Sequence, residues 1–261
     1  MGTSMSDRSQ SILDSPAISG CYLFPQPRRV PEPFLVDCGD AQLACYRKIV
    51  DGEAMTLVHF HGNGEAVADY LPDVVDGLSD LGLNSLFVEY REYGGSTGQA
   101  QLVAMLGDGE AVLHTAGLAP QRTIVFGRSI GSLYAIELAR RHPQIAGLII
   151  ESGIANPGER FLAYTDLSPL DFGENELLAE VKRHFDHKAK LSSYTGPLLV
   201  MHTEHDGVVE ISHAERNHRW AGSTQKQLLR LSRGDHNSIM ALNWDEYFRA
   251  IGSFAKAVTQ R

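Results

Sequence analysis

Short apolar runs alternate along this chain with longer stretches whose apolar residues recur at helical spacing. Met55 to Phe60, Ser85 to Glu89, Thr123 to Phe126, Ala146 to Ile150, Leu198 to His202 and Leu228 to Leu231 read as strands, preceded by one from Leu43 to Ile49. Between and after them, Val67 to Leu81, Leu102 to Gly117, Leu133 to Arg141, Glu174 to Lys190, Ser212 to Ala221 and Ile239 to Val258 have the period of helices. Unbroken apolar strands are buried on both faces, and strands that alternate with helices pair in parallel. The pattern predicts an α/β fold with a mostly parallel central sheet and helices on both faces.

The flanks read differently. Residues 1–19 are polar and predict a poorly ordered lead-in, and Pro25, Pro27, Pro31 and Pro33 exclude regular helix up to residue 33. Met1 to Ser4 reads as an appended remnant, with Met5 as the natural start. Residues 34–261 then form one domain. Its only sizeable insertion, around 151–194, is a short cap with one charged helix and a loop carrying Pro157, Phe161, Leu162, Tyr164 and Leu167.

Composition narrows the function classes. A net charge of −9 over 261 residues predicts no basic face for nucleic acid or anionic lipid. No apolar stretch is suited to a membrane span, and residues 1–11 lack the apolar core of a secretion signal. Cys21, Cys38 and Cys45 are odd in number and show no C-x-x-C spacing, which fits a reduced, cytoplasmic setting.

The chemistry is concentrated at strand ends. Gly127-Arg128-Ser129-Ile130-Gly131 is a G-x-S-x-G that an apolar strand enters and a helical run leaves. In a glycine-rich chain the bare pattern also marks an ordinary tight turn. The strand–turn–helix context is that of a nucleophile elbow, where Ser129 is strained and a Cβ at 127 or 131 would clash. The helix N-terminus beneath the hydroxyl favours developing negative charge.

A serine nucleophile requires a base. Most of the 11 histidines fall in helix-like runs, but His236 lies in the loop between the last strand and the last helix. Asp206, just past the strand ending at His202, is the carboxylate expected to orient it, ahead of Asp235 and Glu204. Backbone N–H groups of Ile130 and of Asn63, or failing that Gly64, are expected to form the oxyanion hole. A parallel sheet gathers these four strand ends on one edge, where ligands of such sheets bind.

The chain order Ser129, Asp206, His236 is that of the α/β-hydrolase superfamily, which the sequence resembles over roughly residues 34–258. His61-Gly62-Asn63-Gly64 resembles the family's HGN loop, Glu89 to Ser96 its D-Y-R-G-Y-G-x-S turn, and Gly127 to Ser132 its G-x-S-x-G-S elbow. The chain is most similar to small, lidless serine hydrolases whose eukaryotic relatives include protein depalmitoylases. Glu89 and Glu92 depart from the usual Asp and Gly, and Thr203 stands where Gly is frequent.

The resemblance implies a serine hydrolase acting on carboxylic esters or thioesters through an acyl-enzyme, with no cofactor and an acyl or other small-molecule substrate. A peptidase or amidase on the same triad, and a non-hydrolytic small-ligand-binding protein on the same fold, are the alternatives. Tyr90, Tyr93, Phe161 and Leu162 are candidates for lining the substrate pocket, or for packing the turn and the loop. His202, His205, Asp206 and His213 have the donors of a metal site but lie along an extended, turning segment, so no metal is expected.

Overall fold

The computed structural model describes residues 11–260. The expected remnant at Met1 to Ser4 lies outside them. Eight strands form one sheet: β1 (Phe34–Asp37), β2 (Gln42–Lys48), β3 (Thr56–Phe60), β4 (Asn84–Val88), β5 (Thr123–Arg128), β6 (Gly147–Glu151), β7 (Leu198–Thr203) and β8 (Lys226–Leu231). Their spatial order is β1-β2-β4-β3-β5-β6-β7-β8. β2 pairs antiparallel with β1 and β4, and every other pairing is parallel.

The helices are α1 (Pro16–Ser19), α2 (Asp73–Asp80), α3 (Asp108–Ala116), α4 (Gly131–Arg141), α5 (Pro157–Tyr164), α6 (Glu174–Phe185), α7 (His187–Ser193), α8 (Ile211–Trp220), α9 (Ile239–Leu242) and α10 (Trp244–Thr259). Among the described residues no helix is long and apolar enough to cross a membrane.

The strand periodicity explains the two-sided core. Val58, Val125, Leu148, Ile150 and Val200 pack into one cluster with residues of α3, α4 and α7. Their neighbours Leu57, Ile124, Phe126, Ile149 and Leu199 pack into a second, with residues of α2 and α10. Successive side chains point to opposite faces, so a strand covered on both sides must be apolar at every position. The sheet reverses direction of growth at β3, which lies between β4 and β5. The crevice at the carboxyl ends of β3 and β5 is therefore the topological site for a ligand.

Several predicted elements are broken, each by a local cause. Val67–Leu81 is a 3-10 turn over Val67–Tyr70, then an extended Leu71 before Pro72, then α2. A residue preceding proline is pushed out of the helical region. The predicted helix from Leu102 begins as a 3-10 turn at Ala104–Gly107 and becomes α only at Asp108. The run from Glu174 splits at Asp186, whose carboxylate caps α7 through the Ala189 N–H at 2.9 Å. The final run splits at Asn243, whose amide donates to the carbonyls of Arg233 (2.9 Å) and Ile239 (2.7 Å).

Two expectations are corrected outright. The stretch read as a loop around Pro157 is α5, with Pro157 in its first turn and the Asn156 side chain accepting from Gly158 and Glu159 N–H. Proline is tolerated there because its missing N–H would have no helical partner. The lead-in is docked over residues 12–19, not loose. Leu13 and Ile18 are fully buried. Asp14 accepts from the Val103 N–H at 2.7 Å, and Ser19 Oγ from the Leu102 N–H at 3.1 Å. Two isolated apolar residues give no periodic signal, so only tertiary packing reveals them. β1 also escaped the sequence reading, being four residues long and half exposed.

The helix that follows the elbow is anchored by one buried carboxylate. Glu137 of α4 accepts from Arg140 Nη2 (2.8 Å) and Arg141 Nε (2.6 Å) and pairs with Lys190 Nζ of α7 at 2.8 Å. Burial pushes its pKa up, but these three cations outweigh burial and hold it at about 2. Burial lowers the pKa of Lys190, which has one carboxylate against two neighbouring arginines. The two partners thus shift differently, and the carboxylate governs acid behaviour, because Lys190 stays charged throughout the acid range.

A depressed carboxylate stabilises the fold above its unfolded value, and the contribution is lost as pH falls through the folded value. The stability gap between wild type and Glu137→Gln should therefore narrow as pH falls from about 4.5 to about 2. Urea midpoints measured across that window test this, and a gap independent of pH would refute it.

Candidate active site

The elbow is built on two steric vetoes. A Cβ on Gly127 would lie 2.6 Å from Ala135 Cβ and 2.7 Å from the Gly131 carbonyl oxygen. A Cβ on Gly131 would lie 2.2 Å from the Phe60 carbonyl oxygen. Contacts that short do not occur, so the close packing of α4 on β5 and β3 needs glycine at both positions. Between them Ser129 has φ of 51°, a left-handed conformation uncommon for a residue with a side chain. Ser132 secures the turn, its hydroxyl donating to the Ser129 carbonyl at 2.6 Å and accepting from the Ile154 N–H at 3.0 Å.

His236 stands between Ser129 and Asp206. Its Nε2 lies 2.9 Å from Ser129 Oγ and its Nδ1 2.7 Å from Asp206 Oδ2. Burial disfavours the ionised Asp206, but hydrogen bonds from His202, His236 and the Val209 N–H outweigh it and hold the carboxyl well below the usual carboxylate range. An ionised carboxylate only accepts. The Nδ1 therefore carries the imidazole proton, and Nε2 presents a lone pair to the serine hydroxyl. Asp206 Oδ1 is fixed by the Val208 and Val209 N–H groups at 2.9 and 2.8 Å.

The other two carboxylates point elsewhere. Asp235 closes its own turn onto Asn237 and Ser238, and Glu204 is exposed. Thr203, the departure from the family pattern, donates to the Gly234 carbonyl at 2.7 Å and so ties the end of β7 to the loop of His236.

His202 was set aside as a metal candidate, yet it braces Asp206. Its Nε2 lies 2.7 Å from the Val209 carbonyl and 3.3 Å from Asp206 Oδ2. Among the described residues no cluster of three or more His, Cys, Asp or Glu is arranged to hold a metal ion.

A cavity of about 250 Å³ opens over Ser129 and His236. Asn63 and Ile130 line it, as do Tyr22, Phe24, Leu133, Ile154, Phe161 and Val208. The Asn63 side chain accepts from the Phe24 N–H at 2.9 Å and from Tyr93 Oη at 3.2 Å, which fixes the loop after β3. The Gly62 N–H is occupied by Glu65 Oε2 at 2.7 Å. Gly64 takes the left-handed conformation at φ 71°.

Three pocket candidates are corrected by these positions. Tyr90 and Tyr93 are buried beneath the loop and do not line the cavity. Tyr90 Oη donates to the His61 carbonyl at 2.6 Å, so both rings support the loop from below. Leu162 packs against the same core cluster, and only Phe161 of that pair lines the cavity.

The sequence reading missed two parts of the site. The first is the arm of residues 20–26, whose Tyr22 and Phe24 form a cavity wall. Tyr22 Oη bonds the Phe161 carbonyl at 3.0 Å and Thr165 Oγ1 at 2.9 Å, spanning from the β3 loop to α5. Nothing local in a proline-rich stretch signals such a role. The second is Arg128, the variable residue of the motif itself. It is buried, with Nε 2.7 Å from Glu65 Oε1 and Nη1 2.6 Å from Glu151 Oε1, and it donates to the His236 carbonyl at 3.1 Å. Burial works against the charges of both Arg128 and Glu65. The charges of Glu151 and Glu65 override it to raise Arg128 well above its ordinary value, and Arg128 overrides it to lower Glu65 to about 2. Tyr70 and Tyr247 each donate to one of these carboxylates at 2.5 Å.

No protein-family model matches the chain. It is 27% identical over 192 residues to the uncharacterized protein YfhR of Escherichia coli K12, an alignment covering 71% of this chain and 64% of that one. It is 27% identical over 167 residues to human alpha/beta hydrolase domain-containing protein 17B, covering 60% and 52%. The chain thus spans between about half and just under two thirds of the curated relatives it matches. Among solved structures, the esterase Pf2001 of Pyrococcus furiosus superposes with a TM-score of 0.70 at 19% identity over 90% of this chain and 99% of that one. Est1E of Butyrivibrio proteoclasticus, solved with ferulic acid, does so with 0.70 at 16% identity over 87% and 100%. At such identities the likeness establishes the fold. With the strand order and the strained elbow serine in agreement, the chain has the α/β-hydrolase fold.

Proposed function

We propose that the chain is a serine hydrolase that cleaves carboxylic esters or thioesters. The observation that carries this reading is the single imidazole within hydrogen-bond distance of both Ser129 Oγ and a strongly ionised Asp206. His236 Nε2 takes the serine proton as Oγ attacks the carbonyl carbon. The oxyanion accepts from the N–H groups of Ile130 and Asn63. Collapse of the tetrahedral intermediate expels the alkoxide or thiolate, which receives the proton from Nε2. Water, deprotonated by the same nitrogen, then attacks the acyl-enzyme and releases the acid with Ser129 restored.

Asp206 keeps the proton on Nδ1 and stabilises the imidazolium, and its pairing with His202 and two N–H groups keeps it ionised. The segment carrying α5 to α7 serves as a short cap, since α5 contributes Phe161 to the cavity. Ester chemistry is favoured over amide chemistry by the names of the fold neighbours, which include an esterase and a monoacylglycerol lipase.

A fluorophosphonate should add once to wild type and not at all to Ser129→Ala, read by intact mass. Absence of an adduct on folded wild type would overturn the proposal. Ser129→Ala should lower kcat on aryl esters by at least about four orders of magnitude with the melting temperature kept. Asp206→Asn should lower kcat about 10⁴-fold, because the neutral amide favours the wrong imidazole tautomer. Near-normal turnover by Asp206→Asn would remove Asp206 from the triad.

A further inference from the structure

One cation in the active-site cavity is not neutralised. Arg128 and Arg160 both line it, but Arg128 is locked between Glu65 and Glu151. Arg160, on α5, has no carboxylate within 4.0 Å among the described residues. Its sequence neighbour Glu159 is turned away and held by Arg216 at 2.8 Å. What Arg160 does have are neutral partners. Its Nη1 donates to the Val208 carbonyl at 2.6 Å, and the guanidinium lies 4.4 Å from the centre of the Tyr164 ring.

These contacts orient the group without satisfying it. A guanidinium carries five N–H donors, and the hydrogen bonds of Arg160 within the described residues use Nη1 alone. Nε and Nη2 together form an edge that matches the two oxygens of a carboxylate. The backbone beneath is braced too, for Tyr22 Oη donates to the Arg160 carbonyl at 3.2 Å. The net charge of −9 is spread over the chain and screened beyond a Debye length of about 8 Å, so the unpaired guanidinium of Arg160 acts locally.

We infer that Arg160 selects substrates bearing a carboxylate close to the scissile carbonyl. Resting on the hydrolase reading above, this makes the substrate class a carboxylate-bearing ester or thioester. One singly charged guanidinium suits a carboxylate better than a phosphate dianion, for which the cavity lining offers no second free cation.

The test uses two matched pairs of aryl esters with wild type, Arg160→Gln and Arg160→Lys. The acyl-side pair is para-nitrophenyl hydrogen adipate against para-nitrophenyl hexanoate. The leaving-group pair is the butyrate of para-hydroxybenzoate against that of para-hydroxybenzamide. Wild type should prefer the anionic member of one pair, and the pair in which it does locates the carboxylate. Arg160→Gln should lower kcat/KM about ten-fold or more for that anionic ester and less than about two-fold for its neutral partner, mainly through KM. Arg160→Lys should recover part of the preference.

Equal losses on both members of each pair would overturn the inference, because they would assign Arg160 a packing role. Neutral esters turned over with no anionic preference would overturn it while leaving the hydrolase reading intact. No turnover of any ester and no fluorophosphonate adduct would overturn both.

Discussion

Arg128 between Glu65 and Glu151 is the interaction on which the site depends. Its three partners belong to the loop after β3, the end of β6 and, through the His236 carbonyl, the loop after β8. Arg128 itself ends β5, one residue before Ser129. One side chain therefore sets the spacing of four strand ends. Removing one member of such a buried ion cluster leaves a charge without its partner, which costs about 3–5 kcal/mol. Replacing a whole cluster by apolar groups can be neutral or stabilising, so its value here lies in registration. It fixes where Ser129, His236 and the loop after β3 stand relative to one another.

Around that clamp the structure divides labour between apolar and polar groups. The sheet interior is apolar on both faces and stiff, as close-packed interiors are. The carboxyl edge is polar and closed by hydrogen bonds between loops: Thr203 to Gly234, Tyr90 to His61, and Phe24 to Asn63. None of these hydrogen bonds involves the expected reacting atoms. Each removes freedom from a loop that does, and pre-organised donors cost no reorganisation when charge develops. The docked N-terminal arm extends the same logic outward, since its Tyr22 holds the turn of α5 that carries both Phe161 and Arg160.

How much of this was legible in the sequence follows the range of the forces involved. Seven of the eight strands announce themselves: β3 to β7 are buried at every position, which favours long apolar runs, while β2 and β8 are partly exposed and are marked by shorter apolar runs. Gly127 and Gly131 could be read as steric necessities, and Ser129 and His236 stand at strand ends that a parallel sheet must gather. Helix continuity was less legible: Pro72, Asp186 and Asn243 each interrupt a periodic run, since a cap or a proline acts over one turn while the apolar period continues past it. Tyr90 and Tyr93 were misplaced for a related reason. Their sequence position is at the sheet edge, but whether an aromatic ring faces up to a cavity or down to the core depends on the turn that follows.

The sequence by itself determined the fold class, the elbow and the strand ends that carry Ser129, Asp206 and His236, because those rest on local sterics and on the period of burial. Only the tertiary structure decided that His202 braces Asp206, that Arg128 joins four strand ends, that Leu13 and Ile18 belong to the core, and that Tyr22, Phe24 and Arg160 wall the cavity. Such roles depend on contacts between residues far apart in the chain, and a side chain's partner across that distance leaves no mark in the pattern around it.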